Sequence, residues 1–259
     1  MAGKVFLILF TLLLSAAVLP APSRADSVVT TQWVSYTSGT DTVKAYCAIP
    51  DGEGPFPAVI LIHEWWGLND WIKENAKDFA RRGYLALAID LYRGRVAASS
   101  DEAHELMRGL PEDRAAKDLK SAFTYLQTRP DVKQEKIGAI GWCMGGGYSL
   151  TAALTIQSLA AAVVCYGRLV SEEEEIQKIA CPVLGIFGET DRGIPAASVK
   201  AFERSAQKLD KNVRVVIYPK VGHAFMNPNN EKGYDASTAQ EAWQRIYAFF
   251  ETKLMGKQR

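Results

Sequence analysis

Histidine is scarce in this chain, and closely spaced cysteines are missing. The 259 residues contain three histidines, His63, His104 and His223, and no two of them stand at the short spacing of a metal-ligand pair. The four cysteines include no C-x-x-C pair, the usual motif of a thiol-redox site. We therefore expect no bound metal and no cofactor.

The chain also lacks an excess of charge of either sign. Its 30 Lys and Arg residues nearly balance its 29 Asp and Glu residues, which gives a formal net charge of +1. This balance attracts neither nucleic acid nor an anionic membrane over a long range. The hydrophobic content of 48% is that of an ordinary globular domain. A small-molecule partner is favoured, and no nucleic-acid partner is expected.

Long apolar runs are confined to the N-terminus. Lys4 precedes the apolar stretch VFLILFTLLLSAAV, and the small-x-small sequence SRA ends at Ala25. The pattern predicts a signal peptide over residues 1–25, export to the periplasm or the cell exterior, and a single domain over residues 26–259. An uncleaved anchor is the alternative, but the run is shorter than the ~20 residues of a membrane span and is interrupted at Pro20. We expect no stable membrane insertion after cleavage.

Two apolar patterns alternate along the rest of the chain. The continuous runs PAVILIH, YLALAID, KIGAIGW, LAAAVVCYG, CPVLGIFG and VRVVIYP are typical of strands buried on both faces. Stretches of helical periodicity between them are typical of crossover helices. Two alternating segments around Gly39-Thr40-Asp41 indicate an antiparallel hairpin. The expected fold class is α/β: a mostly parallel eight-stranded sheet with helices on both faces and an antiparallel N-terminal hairpin.

The segment GWCMG at residues 141–145 places a cysteine between two glycines at the end of an apolar run. It matches the G-x-S-x-G nucleophile elbow, with Cys143 in place of serine. The glycines permit a tight turn from strand to helix, and the N-terminus of the following helix favours a thiolate. The motif alone is weak, because glycine-rich turns of this type also bind phosphates.

Asp191 and His223 each follow a predicted strand, as Cys143 does. In open α/β sheets such residues meet at the carboxyl edge, so we expect the three side chains to lie close together. Their order along the chain, nucleophile then acid then base, is that of α/β-hydrolases. Singly, an aspartate after a strand is often a helix cap, and a lone histidine is more often structural. Together they predict a catalytic triad.

The segment HEWWG at residues 63–67 follows another predicted strand. In α/β-hydrolases this loop donates a backbone N–H to the oxyanion hole, and the residue after the nucleophile donates the other. These donors would be Trp65 and Met144. For the side chains of Trp65 and Trp66, core packing and substrate contact are equally compatible with the sequence.

Glu64 is an unusual residue for this loop, because a carboxylate facing a buried pocket requires a partner. The candidate partners are the thiol of Cys143 and a nearby arginine. We interpret His63 as a structural loop histidine and His104, within SSDEAHELM, as a helix-surface residue.

The remaining cysteines are Cys47, Cys165 and Cys181. In an exported protein, four cysteines allow two disulfides with three connectivities. Cys165 and Cys181, however, belong to apolar runs in which cysteine behaves as a small buried hydrophobic residue. With Cys143 as a free nucleophile, at least one further thiol is unpaired.

At these residues the sequence resembles the dienelactone hydrolase family, the carboxymethylenebutenolidase-like α/β-hydrolases, over nearly the whole predicted mature chain. The resemblance rests on GWCMGG, GETDRGIP, GHAF and HEWWG as a set. It implies that Cys143 is the nucleophile, Asp191 the acid and His223 the base. It also implies that Glu64 holds the resting thiol and is displaced when substrate arrives.

The residues expected to bind substrate match this family less closely than the triad residues do. Members that cleave dienelactone bind its carboxylate with one arginine after a D-L-Y segment, here Asp90-Leu91-Tyr92, and a second after the catalytic histidine. Here Arg93 and Arg95 both follow that segment, and no arginine stands shortly after His223. Loss of one bidentate contact weakens carboxylate binding by ~1.5–3 kcal/mol, which disfavours dienelactone itself. The predicted substrate-binding residues are Trp66, Tyr92, Arg93, Arg95 and Phe225.

These observations predict a hydrolase for an activated ester or lactone that forms a thioester intermediate. A thiolate leaves a tetrahedral intermediate more readily than an alkoxide does, so enol, phenol and thiol leaving groups suit this enzyme best. The nearest alternative is a broad carboxylesterase or thioesterase with the same triad. A non-hydrolytic small-molecule-binding or thiol-redox protein is disfavoured by the missing C-x-x-C motif. We expect a monomer that acts on a small ester or lactone.

Overall fold

The computed structural model describes residues 28–256. The signal peptide predicted for residues 1–25 lies outside this part of the chain. Within the described part, no helix is both long and apolar enough to cross a membrane. The described residues build one eight-stranded sheet surrounded by helices.

The sheet has the mostly parallel arrangement that the apolar runs predicted. Its strands are β1 (Val29–Ser38), β2 (Asp41–Pro50), β3 (Phe56–Ile62), β4 (Leu85–Ile89), β5 (Val132–Trp142), β6 (Ala161–Cys165), β7 (Val183–Gly188) and β8 (Val213–Tyr218). They lie in the order β1-β2-β4-β3-β5-β6-β7-β8. The β1–β2 and β2–β4 pairs are antiparallel, and all other neighbouring pairs are parallel. The predicted fold class and N-terminal hairpin are confirmed.

Helices follow most of the parallel strands. They are α1 (Asp70–Arg81), α2 (Ser100–Arg108), α3 (Glu112–Thr128), α4 (Met144–Thr155), α5 (Glu173–Ile176), α6 (Ala196–Lys208) and α7 (Ala236–Leu254). The side chains of Asn69 and Asp235 cap α1 and α7 by accepting hydrogen bonds from backbone N–H groups of the first turn. Residues 171–174 of the acidic segment SEEEE are exposed at the start of α5.

Strand β5 shows that helices cover both faces of the sheet. Side chains of successive strand residues point to opposite faces. A Cβ added at Gly138 would contact Phe250 and Leu254 of α7, whereas one added at Gly141 would overlap the backbone of α4. Helices α7 and α4 therefore lie on opposite faces, and β5 is buried between them.

The face that carries α7 is closed by packed aromatic rings. Phe79 of α1 lies edge-on to Tyr247 and Phe250 of α7, with ring centroids 5.4 and 5.7 Å apart. Trp142 at the end of β5 contacts Trp71 and Trp243 in the same layer, at 5.3 and 5.7 Å. Because Trp142 is the residue before Cys143, this packing fixes the strand end from which the predicted nucleophile turns.

The four cysteines are free thiols. Cys47, Cys165 and Cys181 are buried, as the apolar runs around the last two indicated, whereas Cys143 is partly exposed. The thiol with access to solvent is thus the one at the carboxyl end of β5, where the parallel strands gather the other predicted site residues.

Candidate active site

Cys143 lies on a sharp turn between β5 and α4. Its backbone has φ 55° and ψ −117°, a conformation that costs about 1–3 kcal/mol for a residue other than glycine. The flanking glycines are required by space: a Cβ at Gly141 would overlap the carbonyl of Gly145, and one at Gly145 would overlap the carbonyl of Ile62. The strand–turn–helix context that the elbow motif requires is present.

His223 and Asp191 form a close pair beside this turn. The Nδ1 atom of His223 lies 2.7 Å from Oδ2 of Asp191, which is itself 4% exposed. The other carboxylate oxygen accepts hydrogen bonds from the backbone N–H groups of Gly193 and Ile194, at 2.8 and 3.0 Å. Burial disfavours the carboxylate, but these hydrogen bonds outweigh it and hold the pKa of Asp191 below its usual value. Asp191 is therefore a fixed anion that orients the imidazole.

The His223 side chain also interacts with the thiol of Cys143. Burial by itself lowers the pKa of His223, but the hydrogen bonds and charges of Asp191 and Cys143 outweigh burial and raise it to about 10. The imidazolium form is thus favoured at neutral pH. Asp191 and Cys143 both interact with His223, so the three side chains lie together at the carboxyl edge of the sheet.

Glu64 is buried below the side chains of these three residues, with 2% of its surface exposed. Its Oε2 accepts a 2.6 Å hydrogen bond from Asn227 Nδ2, and its Oε1 accepts one from the Tyr166 hydroxyl at 3.3 Å. Burial raises the pKa of Glu64 to about 7, although Asn227, the charge of His223 and Tyr166 favour the anion. We expected the Cys143 thiol or an arginine as partner; the structure instead supplies an amide and a phenol.

Tyr166 and Asn227 are site residues that the sequence reasoning missed. Tyr166 directly follows β6 with φ 38°, and its ring lies 5.2 Å from the imidazole of His223. Its position at a strand end was the available signal, since Cys143 directly follows β5 in the same way. Asn227 stands four residues after His223, where we looked for an arginine.

His63 has a structural role, as its place in the loop indicated. It is fully buried, with Nδ1 2.6 Å from the carbonyl oxygen of Glu64, and its Nε2 accepts a hydrogen bond from the backbone N–H of Leu91 at 3.2 Å. Because Nε2 accepts, Nδ1 carries the proton and donates to the carbonyl. Burial lowers the pKa of His63, which keeps it neutral. The histidine ties the loop after β3 to the loop after β4.

The predicted oxyanion donors belong to two backbone segments beside Cys143. Met144 is the first residue of α4, so its N–H has no acceptor within the helix. Trp65 lies in the turn closed by a 3.2 Å hydrogen bond from Gly67 N–H to the Glu64 carbonyl. The Trp65 ring is held edge-on between Trp66 and His104, with centroids 5.0 and 4.6 Å away. His104 is exposed on α2, as predicted, and steadies this loop.

Comparison with known proteins assigns the chain to a family. The model of the dienelactone hydrolase family matches residues 43–254. The chain belongs to the dienelactone hydrolase family. It is 34% identical to Protein usf of Aquifex pyrophilus over 86% of this chain and 99% of that protein. It is 31% identical to a candidate carboxymethylenebutenolidase of Yersinia pestis over 81% of this chain and 84% of that protein.

Solved structures give the same assignment. A dienelactone hydrolase-like promiscuous phosphotriesterase from metagenomic libraries superposes with a TM-score of 0.80 at 26% identity, over 87% of this chain and 98% of that one. The protein is accordingly an α/β-hydrolase-fold enzyme, a carboxymethylenebutenolidase-like hydrolase that acts on small-molecule esters or lactones.

The five predicted substrate-binding residues of this family member lie in different surroundings. The Tyr92 hydroxyl donates to Met144 Sδ at 3.2 Å, so Tyr92 borders the elbow. Arg93 instead holds buried Asp118, with nitrogen–oxygen distances of 2.8 and 3.0 Å. Arg95 points outward, 3.8 Å from Glu102, with 62% of its side chain exposed. Neither guanidinium is placed at the triad.

The other two predicted substrate-binding residues are the aromatic residues Phe225 and Trp66. Phe225 has no exposed surface and packs against Tyr166 and Tyr218, with centroids 5.9 and 5.5 Å away. Its place beneath the site is that of a core residue that supports the Tyr166 ring. Trp66 is partly buried against Trp65. Among residues 28–256, no cluster of three His, Cys, Asp or Glu side chains is arranged to hold a metal ion.

Proposed function

We propose that the protein hydrolyses activated esters or lactones through a covalent thioester on Cys143. The observation that carries this proposal is the position of His223, whose Nδ1 lies 2.7 Å from buried Asp191 while the same ring interacts with the Cys143 thiol. The raised pKa of His223, about 10, favours an imidazolium at neutral pH, which is the partner that a thiolate requires.

In the first half-reaction, the Cys143 thiolate attacks the carbonyl carbon and forms a carbon–sulfur bond. The N–H groups of Met144 and Trp65 are proposed to bind the oxyanion, because both belong to backbone turns beside the sulfur. The bond to the leaving oxygen then breaks as the imidazolium of His223 gives that oxygen its proton, which leaves His223 neutral. An enol or phenol departs readily, which prevents return of the thiolate as leaving group.

In the second half-reaction, water attacks the thioester. His223 takes the proton of that water, the carbon–sulfur bond breaks, and the thiolate is restored. Asp191 remains ionised throughout and stabilises the imidazolium each time it forms. The cycle releases one carboxylic acid and one alcohol, or a single hydroxy acid from a lactone.

We further propose that the substrate needs no carboxylate of its own. Arg93 is committed to Asp118, Arg95 is directed to solvent, and Asn227 stands where a second arginine was sought. A neutral amide offers a carboxylate no charge-assisted bond. The nearest alternative, a broad carboxylesterase or thioesterase, predicts equal turnover of an enol-lactone and matched aryl and alkyl esters, whereas our proposal predicts preference for the lactone and aryl ester.

The decisive experiment is single-turnover hydrolysis of p-nitrophenyl acetate, followed by intact-mass analysis. We expect a product burst and an acetyl adduct that disappear in Cys143→Ala and persist in Cys181→Ala, which removes a buried thiol away from the site. Full turnover by Cys143→Ala would refute thiol catalysis. An unmodified protein with no turnover would favour the non-hydrolytic binding or redox interpretation.

We also propose that the chain is exported after cleavage near Ala25. The support is the sequence pattern of a lysine, an apolar run and a small-x-small site. Intact mass of the protein recovered from a bacterial periplasm tests this proposal, and a mass that begins at Met1 in the membrane fraction would contradict it.

A further inference from the structure

A cavity of about 710 Å³ lies beside the first turns of α4. Its walls come from the end of α2 and the start of α3, from one face of α4, and from residues 168–170 after β6. This volume falls within the range of about 300–1,000 Å³ that is usual for small-molecule sites. The apolar side chains that line it are Met107, Leu110, Leu150, Leu154, Leu169 and Val170.

The cavity reaches the residue next to Cys143. Met144, which follows Cys143 and is the proposed first oxyanion donor, is part of its wall, and Tyr148 continues the wall one turn further along α4. The Tyr92 hydroxyl donates a hydrogen bond to the Met144 sulfur at 3.2 Å, which fixes this side chain at the edge of the cavity. A carbonyl group bound at Met144 N–H therefore has the cavity directly beside it.

The cavity lies on one side of the reacting bond. The leaving group must approach His223 to receive its proton, and the loops that carry Asp191 and His223 contribute nothing to these walls. The cavity therefore lies beside the part of the substrate that remains bonded to sulfur after the leaving group departs. That part of the substrate is the acyl group.

The charges of the cavity are confined to its exposed rim and balance one another. Arg168 and Glu112 form an ion pair at 3.0 Å, with their side chains 80% and 75% exposed. Arg108 and Asp113, also exposed, add one further charge of each sign. The interior offers no charged partner, so an uncharged apolar group fits it better than an anionic one.

We propose that this cavity binds the acyl arm of the substrate, and that the arm is an uncharged alkyl or aryl chain. The proposal rests on the thioester mechanism proposed above, since only that mechanism places the acyl carbonyl at Met144. Burial of each additional methylene is expected to raise kcat/KM about fourfold until the cavity is filled.

The test compares p-nitrophenyl acetate, butyrate, hexanoate and octanoate in the wild-type protein and in cavity-filling variants. Ala116→Leu and Ala116→Phe place side chains of increasing size in the cavity from α3. Ala248→Phe is the matched control, because Ala248 is also partly exposed on a helix but lies on α7, across the sheet. A parallel series of alkyl thioacetates varies the chain on the leaving-group side.

We expect kcat/KM to rise with acyl length in the wild-type protein and in Ala248→Phe. The rise should be reduced in Ala116→Leu and lost in Ala116→Phe, with each rate compared with the same variant's acetate rate. The acyl assignment would be overturned if the wild-type kcat/KM did not change with acyl length, or if it changed with chain length only in the thioacetate series. An unchanged slope in Ala116→Phe would overturn the location. If the wild-type protein showed no acetate hydrolysis that depends on Cys143, the proposed function would be overturned, and this inference with it.

Discussion

The Nδ2 of Asn227 donates a 2.6 Å hydrogen bond to Oε2 of Glu64, although the two residues are 163 positions apart in the chain. An arginine at that place would neutralise the carboxylate, whereas the amide satisfies one oxygen and leaves the charge in place. The buried carboxyl therefore titrates near neutrality, with a pKa of about 7. Asn227 and Tyr166 together bind both oxygens of Glu64, whereas Cys143 interacts with His223.

The raised pKa of Glu64 makes its contribution to stability depend on pH. Between about 4.5, its ordinary value, and about 7, the folded protein retains a proton that the unfolded chain has lost. The free energy of unfolding that Glu64 contributes therefore falls as pH rises through this window, by about 3 kcal/mol, and is constant above it.

Comparison with Glu64→Gln isolates this effect by urea denaturation from pH 4.5 to 8. Buried His63 acts with the opposite sign below about pH 6.5, since only the unfolded chain gains its proton. His63 is unchanged in the variant, so the difference curve reports Glu64. A difference that does not change with pH would contradict the raised pKa.

Asp191→Asn is expected to reduce kcat by about 10²- to 10⁴-fold while leaving the fold intact. The amide removes the charge that stabilises the imidazolium, so the pKa of His223 should fall from about 10 toward and below its ordinary value. NMR titration of the His223 ring measures this shift, with exposed His104 as an internal reference. Asp101→Asn, an exposed substitution on α2, is the control and should change neither quantity.

The elbow tolerates no side chain at Gly145. Gly145→Ala places a Cβ against the carbonyls of Ile62 and His63, so we expect loss of more than about 4 kcal/mol of stability or no folded protein. Gly147→Ala, one half-turn later in α4, meets its nearest neighbour at an ordinary 3.5 Å. It should be neutral or stabilise the helix by up to about 1 kcal/mol. Equal denaturation midpoints for the two variants would refute the close packing of α4 on β3.

Arg93 is expected to affect stability and to leave substrate binding unchanged. Arg93→Gln leaves the fully buried carboxylate of Asp118 without its ion pair, which should cost about 2–4 kcal/mol. Arg95→Gln removes an exposed, loosely paired guanidinium and should cost less than about 0.5 kcal/mol. Chemical denaturation measures both costs. A raised KM for an anionic aryl ester relative to a neutral one in Arg93→Gln would show instead that this arginine binds substrate.

The fold followed from sequence because its signals are local. A strand buried on both faces requires a continuous apolar run, and β3 to β8 were all found in this way. The elbow was equally readable, since only glycine fits at positions 141 and 145 beside a cysteine with positive φ. Cys143, Asp191 and His223 each follow a parallel strand, and parallel strands end together, so the three residues were expected at one sheet edge.

Sequence alone was enough for the α/β class, for the turn that presents Cys143 and for the strand ends that carry Asp191 and His223, because each depends on periodicity or on backbone space within a few residues. The packed fold sets the partners of the polar groups: Asn227 and Tyr166 for Glu64, and Asp118 for Arg93. It also created the cavity beside Met144 from three distant segments. Hydrogen bonds, ion pairs and cavities depend on distances between elements, and those distances are set by packing of the whole core.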